Sequence, residues 1–145
     1  MKIRFETQVR GYYTEVMKRF DRDLFEALKP RQGEMEILDF TGSETGDRVH
    51  LKFISPISME WISDIVDHGT DEKRAYFIDE GVKLPFPLSF WRHKHIVEKI
   101  DEEYSLIIDD IEYKASPSLL TPIMYPALYA AFSPRKKVYQ SYFGV

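Results

Sequence analysis

The tightest constraint on this chain is a pair of segments, Trp91-Arg92-His93-Lys94-His95 and Asp109-Asp110-Ile111-Glu112-Tyr113, joined through a short acidic turn. Alternate residues of a β-strand share a face. Trp91, His93, His95 and Val97 therefore point one way, and Arg92, Lys94 and Glu98 the other. With Asp101-Glu102-Glu103 as the turn, Ile100 faces Tyr104. His95 then falls opposite Asp109, His93 opposite Ile111 and Trp91 opposite Tyr113. A two-residue turn would set His95 against Ile108. The three-residue turn is preferred because it unites Ile107, Ile111 and Tyr113 with Trp91 and Val97 on one apolar face. Arg92, Lys94, Asp110 and Glu112 then share the outer face, and a one-residue slip would misplace one of these sets. The hairpin thus carries two imidazoles and a carboxylate on its buried side.

The rest of the chain is read by the same periodicities. Met1, Ile3, Phe5, Thr7 and Val9 alternate with Lys2, Arg4, Glu6, Gln8 and Arg10, which predicts a half-buried strand ended by Gly11. Two short helices are expected next. Thr14 caps the first, whose inner residues are Val16, Met17 and Phe20. Asp23 and Glu26 open the second, with Leu24, Phe25 and Leu28 apolar; Pro30 stops it and Gly33 releases the chain. Strands follow over Met35 to Phe40, Arg48 to Ser55, Met59 to Asp67, Lys73 to Asp79, Phe90 to Ile100 and Tyr104 to Lys114. Turn residues at 41–47, 68–72 and 101–103 imply an antiparallel meander. Thr121-Pro122 reads as the N-cap and first residue of a C-terminal helix. Its apolar stripe is Leu120, Ile123, Met124, Ala127, Leu128 and Phe132, and Ser133-Pro134 bends or restarts it before Val138, Tyr139 and Tyr142.

Composition narrows the function classes. A length of 145 residues suits one domain spanning 1–145, and 43% hydrophobic residues suffice for its core. The absence of cysteine excludes disulfides, thiolate metal sites and cysteine nucleophiles. A net charge of -4 argues against nucleic-acid binding, which rests on a basic face. Charges within Met1-Lys2-Ile3-Arg4-Phe5 do not suit a signal peptide, and no run approaches the ~20 apolar residues of a membrane span. A soluble, cytoplasmic protein is expected.

The expected fold is α+β: a seven-stranded curved antiparallel sheet gripping a long C-terminal helix, with two short helices between strands 1 and 2. This order, with Val9, Phe20 and Leu24-x-x-x-Leu28-x-Pro30, then Gly46-Asp47-x-Val49, Trp91-x-His93-x-His95, Asp109-x-Ile111-Glu112-Tyr113 and Phe132-x-x-Arg135, resembles the START-like helix-grip superfamily (SRPBCC). That superfamily includes polyketide cyclases/dehydrases, lipid-transfer domains and pollen-allergen proteins. The resemblance covers essentially the whole chain. It implies a cavity between sheet and helix for an apolar or amphipathic small molecule, without fixing one chemistry.

On this reading Trp91, His93, His95, Asp109, Ile111 and Tyr113 form a polar and aromatic wall. Leu120, Met124, Leu128 and Phe132 supply the helix side. His95 and Asp109 are expected to pair across the strands, as acid/base residues if the protein is an enzyme. The apolar, proline-rich stretch from Asp79 to Leu88 is a candidate lid carrying Leu84, Phe86 and Leu88. His93-x-His95 has the spacing of strand-borne metal ligands, with Asp109 or Glu80 as a third, but no metal and no cofactor is expected. Arg135-Lys136-Lys137 reads as a helix end favoured by the macrodipole. The expected partner is a small hydrophobic, lipid- or polyketide-like molecule. Homodimerisation through an edge strand is compatible with the layout. The alternatives are a cyclase, dehydrase or hydrolase, and a protein-interaction module with a filled interior.

Overall fold

A computed structural model describes residues 1–29, 34–55 and 58–145. The elements run β1 (Lys2–Arg10), α1 (Tyr13–Lys18), α2 (Arg22–Ala27), β2 (Glu34–Phe40), β3 (Arg48–Ser55), β4 (Met59–Thr70), β5 (Arg74–Lys83), β6 (Leu88–Lys99), β7 (Tyr104–Ala115), α3 (Leu120–Phe132) and α4 (Arg135–Phe143). The strands form one antiparallel sheet in the order β1-β7-β6-β5-β4-β3-β2. Six consecutive strands thus meander, and β1 closes against the last of them.

Alternation sets the inner face. Along β1, Ile3, Thr7 and Val9 are buried and the charged residues exposed. The β6–β7 register pairs His95 with Asp109, His93 with Ile111 and Trp91 with Tyr113, as the apolar faces require. Two apolar clusters occupy the inside. One joins Val9, Val16, Phe20, Leu24, Phe77, Val97, Ile107, Tyr139 and Phe143. The other joins Ile3, Leu88, Trp91, Ile111 and Tyr113, with Met124, Leu128 and Phe132 packed on it.

Local chemistry departs from the sequence reading at several ends. Helix α1 starts at Tyr13, and its N-cap is Tyr12 rather than Thr14, without a side-chain cap. Asp21, not Asp23, caps α2, accepting a hydrogen bond from the Leu24 N–H at 3.1 Å. Pro30 and Gly33 lie outside the described residues. Strand β4 runs on to Thr70, because Asp71 makes the turn by accepting hydrogen bonds from the Lys73 and Arg74 amides. Leu119, not Thr121, precedes α3; the Thr121 hydroxyl instead accepts from the Ala115 amide at 3.0 Å.

The C-terminal helix is divided at Ser133-Pro134 into α3 and α4. Proline lacks the N–H that would continue the ladder. The division gives the two halves separate aims. Tyr139 and Phe143 of α4 are buried in the first cluster, whereas no residue of α3 is fully buried.

Candidate functional site

The inner faces of β5, β6 and β7 bring two aspartates to two histidines. His93 and His95 stand on β6, both buried, with rings stacked at 3.7 Å between centroids. Phe77 continues the stack beyond His95 at 4.2 Å. The expected His95–Asp109 hydrogen bond is not formed, although the two residues are register partners. Bonding runs diagonally instead. His93 Nε2 donates to Asp109 Oδ1 at 2.8 Å, and His95 Nε2 donates to Asp79 Oδ2 at 2.6 Å. Diagonal neighbours in a sheet lie within reach of long side chains, and the carboxylates of β7 and β5 flank the imidazole pair from either side.

Asp109 is tied further. Arg135 Nη1 of α4 lies 3.3 Å from its Oδ1, and the Tyr139 hydroxyl donates to the same oxygen at 3.3 Å. Burial alone would raise the Asp109 pKa, but the hydrogen bond from His93 and the Arg135 charge outweigh it and hold the carboxyl well below its usual range. Asp79 is also lowered against the opposing effect of burial, chiefly by its hydrogen bond from His95. His95 itself is driven down to about 4 by burial and by the neighbouring His93, more than Asp79 restores. It is a neutral donor near pH 7, and its Nδ1 is buried without a partner. Burial and the Asp109 charge push the Tyr139 phenol up, so it too stays neutral.

Above this cluster lies a cavity of about 240 Å³. Its walls are largely apolar: Phe25, Ile37, Leu51, Phe53, Trp61 and Phe77 on one side, Leu128, Ala131 and Phe132 of α3 on the other. Ser63, Asp79, His93, His95 and Arg135 supply the polar lining. Trp61 Nε1 donates to the Ser63 hydroxyl at 2.9 Å. A register shift between Ile65 and Asp67 of β4, opposite Asp79, places a bulge beside this polar end.

The sequence-derived wall is therefore partly reassigned. Trp91, His93, His95, Leu128 and Phe132 reach the cavity. Asp109 stands behind His93, and Ile111 and Tyr113 are core; the Tyr113 hydroxyl donates to the Thr121 carbonyl at 2.7 Å. Leu120 and Met124 do not line the cavity. The lid does not form. Strand β5 continues to Lys83 through pairs with β4, leaving only Leu84 to Pro87 as a connection. Phe86 is 81% exposed, Leu88 is buried in β6, and neither borders the cavity.

Asp79, Ser63, Arg135 and Tyr139 were missed. For Asp79 the signal was present: continuing the alternation of Ala75 and Phe77 puts it inward, opposite His93. Arg135 reads in the sequence as a helix end favoured by the macrodipole; in the structure it follows the break at Pro134 and reaches the cavity and Asp109.

Asp79, His93 and His95 offer three ligand atoms within 4.8 Å of one another. In this structure their atoms are engaged with one another: His95 Nε2 bonds Asp79 Oδ2, and His93 Nδ1 lies 3.8 Å from the same oxygen.

This sheet, wrapped on a divided C-terminal helix with two small helices after the first strand, is the helix-grip fold shared by START-like and Bet v1-like proteins. No family model and no curated protein sequence matches the chain. Solved structures do. Norcoclaurine synthase from Thalictrum flavum is similar at TM-score 0.67 and 13% identity, over 97% of this chain and 92% of that one. An aromatase/cyclase from a Streptomyces species is similar at TM-score 0.71 and 12% identity, covering 97% and 92%. A hypothetical protein from Helicobacter pylori is similar at TM-score 0.71 and 13% identity, covering 99% and 88%. At such identities the likeness extends to the fold.

Proposed function

We propose that this protein binds a small hydrophobic or amphipathic molecule between its sheet and α3, with the polar end of the molecule beside Asp79 and the histidine pair. The observation that carries this reading is the segregation of the cavity lining: aromatic and aliphatic walls, with the polar groups Ser63, Asp79, His93 and His95 on neighbouring strands β4 to β6, joined by Arg135. About 240 Å³ falls just below the usual span of ligand pockets, ~300 to 1,000 Å³. It suits a short chain or one or two rings better than a two-chain lipid. The unpartnered Nδ1 of His95 favours a ligand that brings a hydrogen-bond donor. A protein of the same fold, norcoclaurine synthase, has been solved in complex with dopamine and hydroxybenzaldehyde, so the fold accommodates molecules of this size.

A second reading, acid/base catalysis, draws on the two imidazole–carboxylate pairs at 2.8 and 2.6 Å. A carboxylate that fixes a tautomer leaves the other ring nitrogen to accept a proton. The pairing assigns Asp79 to His95 and Asp109 to His93.

Native mass spectrometry of protein purified from its own host tests the binding reading. The wild type is expected to retain a small-molecule mass that Leu128→Trp, which adds bulk at a half-buried position of the cavity's helix side, has lost. A wild type without any such mass, or the same mass on both proteins, would count against it.

A further inference from the structure

From Ala115 to Pro134 the chain carries no Asp, Glu, Lys, Arg or His, although charged residues make up 30% of the whole. Helix α3 lies inside this stretch, and not one of its residues is fully buried. Its inner stripe, Met124, Leu128 and Phe132, rests half-buried on the cluster around Trp91. The opposite side is where an ordinary surface helix carries its charges. Here it presents Ile123 at 61% exposure and Tyr129 at 48%, with Leu119 just before the helix at 65%. A helix that is apolar all round is normally buried, so this one lacks a cover among the described residues.

The flanks indicate what the cover is. Exposed Lys136 and Lys137 follow the uncharged stretch directly after Arg135. Tyr125 and Tyr129, one turn apart with rings stacked at 6.2 Å, add amphipathic side chains of the kind enriched at a bilayer interface. An apolar helix followed by lysines and bearing tyrosines matches the chemistry of a helix lying in an anionic membrane surface. The chain as a whole carries -4, so attraction comes from Lys136 and Lys137 rather than from net charge. No helix among the described residues is long and apolar enough to cross a bilayer, so the contact is peripheral.

We infer that α3 docks the protein on an anionic membrane surface, inserting Leu119 and Ile123 among the lipid chains while Lys136 and Lys137 meet the headgroups. This inference stands on α3 and its flanks and is independent of what the cavity holds.

Co-flotation of the full chain with vesicles tests it, using phosphatidylcholine alone or mixed with phosphatidylglycerol. Wild type is expected to float with the mixed vesicles at low salt, to dissociate at high salt, and to stay unbound with phosphatidylcholine alone. Ile123→Asp, at a position already exposed, and the double variant Lys136→Glu with Lys137→Glu are each expected to weaken binding by about tenfold or more. Thermal melts matching wild type would show that the variants fold. Wild type that ignores mixed vesicles, or an Ile123→Asp protein that floats as well as wild type, would overturn the inference. A dimer in solution that Ile123→Asp dissolves, without vesicle binding, would also overturn it and assign the patch to a second copy of the chain.

Discussion

Protonation of His95 is the sharpest handle on the buried cluster. Its pKa falls from an ordinary 6.5 to about 4, because burial and His93 oppose a charge there more than Asp79 supports it. The unfolded imidazole takes up a proton as pH drops through about 6.5, whereas the native one resists until about 4. In that window the unfolded state binds more protons, so stability falls as pH falls. The contribution is fully present above the unfolded value. Linkage gives a loss of about 2 kcal/mol by pH 5 and about 3 kcal/mol once pH drops below 4. Asp109 acts in the same direction at lower pH, since its native pKa is also depressed. The assay is urea unfolding followed by tryptophan fluorescence at pH 7.5 and pH 5, on wild type and on His95→Gln. The Gln amide can still donate to Asp79 but does not titrate. The other three histidines, His50, His68 and His93, are common to both proteins. Wild type should lose about 2 kcal/mol more than His95→Gln between the two pH values. Equal losses, or a wild type that gains stability on acidification, would refute the assignment of His95 as a buried neutral donor.

Two further outcomes follow from the geometry. Arg135→Met removes the guanidinium beside the buried Asp109, and stability should drop by about 3 kcal/mol; adding Asp109→Asn should restore much of it, and a single variant as stable as wild type would show that the pair is not coupled. Phe86→Ala should change stability by less than about 0.5 kcal/mol because the ring is 81% exposed, whereas Trp91→Ala, in the second cluster, should cost about 3 to 5 kcal/mol by the same unfolding assay.

The β6–β7 hairpin was legible because two independent patterns, the apolar face and the charged face, agree on only one register. The first strand and the meander were legible for the same reason, since period-two alternation is a local property. The Ser133-Pro134 break was legible from proline's missing N–H. Helix caps were less so, because Asp21 and Asp23 both sit near the start of α2 and only the folded backbone selects Asp21.

The candidate site depended on distance across the sheet. Alternation puts His93, His95 and Asp109 on one face, but it does not decide whether a carboxylate bonds straight across or diagonally. Asp79 continues the inward alternation of Ala75 and Phe77, but a charge there, followed by Gly81, also reads as the end of a strand. Pairing of β5 with β4 carries the strand through it. Arg135 reaches Asp109 only because α4 leaves the line of α3. Face and register are one-dimensional properties of strands, and this protein's sequence determined them unaided. Which carboxylate meets which imidazole, where the cavity opens and which helix face stays uncovered depend on how separate elements are packed in three dimensions, and those the tertiary structure alone decided.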